Sequence, residues 1–202
     1  MSEAVKIKPP PSLAEITQNI QGIFRIKSLE TLKLTLNTEH IGLQEIDNQD
    51  DFLYGQMMGC VLIHGSSIKA SFKIHYSQNL ATLITSESLG ISPKEISQDS
   101  TNDFMREYCN LAAGYIVDTL AYNKIHVDIS IPLITDGFDE VWFSDHHRPL
   151  DQKDYFRLCW PMGNMICTNV IQIRNLEPFE NLKIPESPHN NVDDDDEGIT
   201  FL

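Results

Sequence analysis

Residues 57–76, MMGCVLIHGSSIKASFKIHY, constrain the fold more than any other stretch. In the second half, Ile68, Ala70, Phe72, Ile74 and Tyr76 take every other position, the period of a strand with one buried face. The first half is an apolar run of strand length. Gly65-Ser66-Ser67 between them supplies turn residues. Two strands joined this tightly form an antiparallel hairpin.

The flanks alternate helix and strand signals. Pro9-Pro10-Pro11 lock φ and lack N–H donors, so residues 1–11 read as an extended lead-in. Ser12 with Glu15 is a capping box, and Leu13, Ile16, Ile20, Ile23 and Phe24 recur at helical spacing. These predict a first helix over about 12–26. LETLKLTL at 29–36 alternates and predicts a strand; the polar stretch 37–51 reads as a loop with one short strand. Ser77 caps a second helix, stopped by Gly90 and Pro93. A longer third helix is expected over 101–122, followed by an alternating strand at Ile125, Val127, Ile129 and Ile131. Residues 135–153 read as a polar insertion. Two last strands then pair across Gly163-Asn164, and 176–202 reads as a disordered acidic tail. The expected class is α+β: an antiparallel sheet with packed helices over 12–175.

Charge and cysteine usage exclude several functions. The net charge is −14, and half of it lies in 176–202, where eight acids face one base, Lys183. Neutralising the phosphates of nucleic acid or an anionic membrane needs clustered Lys and Arg, which neither part offers. No apolar run approaches the roughly 20 residues of a membrane span. The first residues lack the apolar stretch of a secretory signal, so a cytoplasmic location is expected. Cys60, Cys109, Cys159 and Cys167 are widely spaced and form no C-x-x-C pair, which suits reduced thiols rather than zinc or disulfides.

The chemistry lies in the third helix, D103-F-M-R-E-Y-C-N-L-A-A-G114. Asp103, Glu107 and Asn110 stand at i, i+4 and i+7 and share a face. Phe104, Tyr108, Leu111, Tyr115 and Val117 lie elsewhere and are expected to face the core. Gly114, one turn beyond Asn110, removes side-chain bulk at a cost of about 1 kcal/mol to the helix relative to Ala. With Ala113 beside it, it suggests a place where another surface approaches.

The spacing D-x-x-x-E-x-x-N resembles the [DS]-x-x-x-E-x-x-N signature of the CheC/CheX/FliY chemotaxis phosphatases. The hairpin, the Ser-led helix and the motif helix follow in the order seen in CheX-like chains. The likeness covers roughly 12–175, leaving the 135–153 insertion and the tail unexplained. It implies a phosphatase that hydrolyses the aspartyl phosphate of a CheY-like response-regulator receiver domain, in chemotaxis or two-component signalling. Asn110 would orient the attacking water and Glu107 would pair with the receiver's lysine. Asp103 is a motif position without an assigned role. Mg²⁺ is expected in the receiver, with no cofactor or metal of the chain's own, and a homodimer is implied. CheC-like chains carry two such helices. Here the echo Ser12-x-x-x-Ile16-x-x-Asn19 has isoleucine in place of the glutamate, suggesting one live site.

Other candidates are weaker. Asp145-His146-His147 lacks the i, i+4 spacing of helical metal pairs. His64 and His75 read as ordinary strand residues. The acidic run 193–196 lacks the ligand spacing of a calcium loop. The alternative to an enzyme is a non-catalytic receiver-binding or assembly module in a chemosensory or motility complex.

Overall fold

The computed structural model describes residues 11–46, 55–136 and 152–183. Ser12 opens the first helix, α1 (Leu13–Thr35): its Oγ accepts from Glu15 N at 3.3 Å, and Glu15 Oε2 accepts from Ser12 N at 2.7 Å. The helix does not end near residue 26 but continues through the stretch whose alternation predicts a strand. The buried stripe here is Phe24, Lys27, Ser28, Thr31 and Leu32, spaced as a helix face and largely polar. Ser28 and Thr31 donate to the carbonyls of Phe24 and Lys27, four residues back, which lets small polar residues enter the core.

Strand β1 (Gly42–Glu45) lies in the predicted loop. The hairpin follows as β2 (Met57–Gly65) and β3 (Ile68–Tyr76), in register from Met57 opposite Tyr76 to His64 opposite Lys69. Helix α2 (Gln78–Leu89) starts on Ser77, whose Oγ accepts from Leu80 N, and stops at Gly90, left-handed at φ 65°. Helix α3 (Gln98–Tyr122) starts on Ser97. The strand expected at 125–131 shortens to β4 (Val127–Ile129), with Ile131 turned out to solvent at 87% exposure. Beyond Pro132 a further strand, β5 (Leu133–Asp136), enters the stretch expected to be a polar insertion, whose last residues, 152–153, likewise belong to a strand. Strands β6 (Gln152–Trp160) and β7 (Gly163–Ile173) pair from Trp160 opposite Gly163, so their turn is Pro161-Met162 rather than Gly163-Asn164.

Among the described residues, all pairings are antiparallel, in a seven-stranded sheet ordered β1-β6-β7-β3-β2, with β4 and β5 sharing the far edge of β2. This is the α+β class expected. Alternation sends Val61, Ile63, Phe72, Ile74, Cys167, Phe156 and Leu158 to one face, where they join Ile16, Ile20, Phe24, Cys109, Ala112 and Ile116 in one core. Phe24 and Phe72 meet at 6.5 Å between ring centroids, seating α1 on the sheet.

The domain runs beyond the expected boundary at 175. Phe179 is buried at 1% exposure, and Asn123 and the Lys183 backbone exchange two hydrogen bonds of 2.7 Å. An aromatic residue that finds core surface outweighs the polar composition around it. The run 193–196, the Asp145-His146-His147 stretch and most of the proline lead-in lie outside the described residues.

Candidate functional site

Helix α3 carries core and site on opposite faces. Met105, Tyr108, Cys109, Ala112, Ala113, Ile116 and Leu120 are buried at 1% exposure or less. Two contacts fix its rotation. The Tyr108 hydroxyl donates to the Ser28 carbonyl of α1 at 3.1 Å, giving a buried phenol its needed partner. On the sheet side, Cys109 Sγ stands where a β-carbon on Gly59 would come within 2.7 Å, so strand and helix approach closely. Burial pushes both the Tyr108 hydroxyl and the Cys109 thiol well up from their ordinary pKa values, with neighbouring thiols adding to the effect. Both are neutral packing groups at neutral pH.

The outward face holds Asp103 and Glu107, both exposed, and Asn110, half-buried. Glu107 and Asn110 make no hydrogen bond or ion pair among the described residues, so both are available to an incoming molecule. A β-carbon on Gly114 would meet nothing within 4 Å. Internal packing therefore does not require this glycine; open space lies above it.

Several sequence readings change here. The helix begins at Gln98 rather than at 101, which puts Asp103 past the first turn and makes Asp99 the acid at the N-terminus. Arg106 donates to Asp103, three residues back. Ala113 does not belong to an approach surface. Six residues beyond Glu107 it has rotated about 120° away from it, and it is fully buried. Leu111 shows the opposite error, standing 37% exposed beside Asn110 rather than facing the core. In α1, Ser12 is occupied in the capping box and Ile16 is core, so Asn19 stands alone and the echo forms no second site.

Sequence reasoning missed a polar cluster between α1 and the sheet, centred on buried Asp154 and Asn169. Arg25 Nε donates to Asp154 Oδ1 at 2.9 Å, Glu45 pairs with the same guanidinium, and Asn169 donates to Asp154 Oδ2 at 3.2 Å. Burial alone would lower the Arg25 pKa, but the hydrogen bond and charge of Asp154, with Glu45, outweigh it and raise it. An isolated aspartate inside a strand pattern is the only local signal of this cluster; its partner lies 129 residues away.

The remaining candidates form no centre. His64 is exposed, and buried His75 shares a 3.0 Å hydrogen bond with Thr168. All four cysteines are free thiols, two buried and two half-buried. Among the described residues, no group of three or more His, Cys, Asp or Glu is placed to hold a metal ion, and no helix is long and apolar enough to cross a membrane.

Residues 57–146, which span hairpin and motif helix, match the family model described as chemotaxis phosphatase CheX. No curated protein matches the chain. Among solved structures, the chain is similar to the chemotaxis protein CheX from Vibrio vulnificus, at 18% identity and TM-score 0.63, over 76% of this chain and 99% of that one. It is also similar to a CheC-like superfamily protein from Shewanella sp. PV-4, at 20% identity and TM-score 0.60, over 76% and 97% of the two chains. A chain of the CheX-CheY-BeF3-Mg+2 complex from Borrelia burgdorferi matches at 20% identity and TM-score 0.58, with the same coverage. The resemblance to CheX/CheC-like proteins thus holds for the family model and for the fold.

Proposed function

We propose, for a chain with the CheX-like fold whose residues 57–146 match the chemotaxis phosphatase CheX model, that it hydrolyses the aspartyl phosphate of a CheY-like receiver domain. The observation that carries this reading is the pair Glu107 and Asn110. They stand on one exposed helix face without intramolecular partners among the described residues, beside the open space over Gly114. That the Borrelia burgdorferi relative is solved together with CheY supports a receiver as partner.

Hydrolysis of an acyl phosphate is an in-line attack of water on phosphorus. The bond to the aspartyl oxygen breaks, the aspartate leaves as carboxylate, and inorganic phosphate departs with the water's oxygen. Such a reaction needs positioning and charge stabilisation more than covalent help. The Asn110 amide accepts from the water and points its oxygen at phosphorus. Glu107 pairs with the receiver's lysine and fixes the register of docking. Mg²⁺ and its ligands belong to the receiver, and the chain supplies none of its own. A homodimer in the cytoplasm is the expected working form.

The test is the decay of Mg²⁺-loaded, acyl-phosphorylated receivers from the same organism, with wild type and Asn110→Ala compared. Acceleration by wild type, lost by about 100-fold in the variant while receiver binding persists, establishes the enzyme and the role of Asn110. Unchanged decay across every receiver would leave a CheX-like fold used for binding or assembly.

A further inference from the structure

Arg106 is the one cation in the stretch from Asp103 to Gly114, and where its guanidinium goes matters for the site. A helical side chain reaches neighbours three and four positions away. For Arg106 these include Asp103 behind and Asn110 ahead, with Glu107 adjacent in sequence. The guanidinium donates through Nη1 to Asp103 Oδ1 and to neither of the other two. Asp103 is exposed at 75% and Arg106 about half-exposed at 44%, so the pair is not a structural requirement of the core.

We propose that Asp103 is a positioning residue: by holding the Arg106 guanidinium on the N-terminal side of the face, it keeps that cation off Asn110, four residues ahead. The inference rests on the phosphatase reading and gives a task to the first position of the motif. Without Asp103, the Arg106 side chain swings forward to the Asn110 carbonyl oxygen, the acceptor that would orient water. An arginine presents several donors in a rigid fork, so a released guanidinium readily finds an amide oxygen one turn ahead.

The experiment uses the full chain as wild type, Asp103→Ala, Arg106→Gln and the double variant, with two readouts. In single-turnover dephosphorylation of a receiver, Asp103→Ala slows the reaction by about two- to five-fold, the scale of an exposed ion pair. Arg106→Gln stays near wild type, and the double variant recovers the Arg106→Gln rate. In the absence of any receiver, the Asn110 side-chain amide resonances shift in Asp103→Ala and return in the double variant. A loss in Asp103→Ala that persists when Arg106 is replaced overturns the proposal, since Asp103 then acts without Arg106. Amide resonances unmoved by Asp103→Ala overturn it equally. If wild type accelerates no receiver, the phosphatase reading fails, and the amide measurement still decides whether Asp103 restrains Arg106.

Discussion

Gly59 and Cys109 bring strand β2 and helix α3 into a contact with no room for another atom: a β-carbon on residue 59 would stand 2.7 Å from the Cys109 sulfur and 2.9 Å from Ile74 Cγ1. Because Cys109 directly precedes Asn110, this contact sets how far the exposed face stands from the sheet. Gly59→Ala is expected to destabilise the domain by about 1–3 kcal/mol through overpacking. It should also reduce dephosphorylation, because α3 must move outward. Denaturant midpoints and the single-turnover rate, measured together, check this. Unchanged stability would mean that the Cys109 side chain yields freely.

Gly114→Ala should act in the opposite sense on stability. Its new methyl group meets nothing, so the helix gains about 0.5–1 kcal/mol from removing an interior glycine. Gly114→Leu keeps the gain but obstructs the approach of a partner, weakening receiver binding about ten-fold, or about 1.4 kcal/mol. Thermal melting and titration of a receiver domain separate the two effects. A leucine variant that binds as well as wild type would remove Gly114 from the docking surface.

Asp154→Ala strips Arg25 of its buried partner and leaves the Asn169 amide without its acceptor. A loss of about 3 kcal/mol is expected, as for breaking a buried ion pair from one side. Replacing both members, Arg25→Met with Asp154→Leu, should cost less than the single change. Chemical denaturation of the three variants tests this. A double variant worse than Asp154→Ala would show that the cluster contributes more than mutual compensation.

Alkaline pH should weaken the fold. Burial raises the pKa of Cys109 above the thiol reference of 9.0 and that of Tyr108 above the phenol reference of 10.0. Above those references the unfolded chain has released protons that the native chain retains, so unfolding stability falls as pH rises. The contribution is complete below about pH 9 and is lost progressively above it. Each such group steepens the fall by up to about 1.4 kcal/mol per pH unit. Comparing the slope between pH 8 and 10.5 for wild type and Cys109→Ala checks it, with a shallower slope expected for the variant. Equal slopes would mean that the Cys109 thiol ionises alike in folded and unfolded chains.

The hairpin was readable because its period is strict and its turn short, and α2 because Ser77 and Gly90 mark both ends. The exposed face of α3 was readable because helical spacing alone unites Asp103, Glu107 and Asn110. Residues 29–36 misled because Leu32, Leu34 and Leu36 alternate, whereas burial follows Ser28, Thr31 and Leu32. Those polar groups bond to carbonyls one turn back, which no hydrophobic pattern registers. Ala113 misled because small size does not say which way a residue faces. The partnership of Arg25 with Asp154 and the burial of Phe179 depend on contacts between distant parts of the chain, beyond the reach of any local pattern.

The interleaving of α3 has a consequence for how such a protein changes over time. Glu107 stands next to Tyr108, and Asn110 next to Cys109, yet one member of each pair meets solvent while the other is sealed in the core. The scaffold is thus written in one set of letters and the chemistry in another. A substitution at Glu107 or Asn110 can silence the reaction and leave the architecture intact. A lineage can then retire its catalyst and keep its fold in a single step.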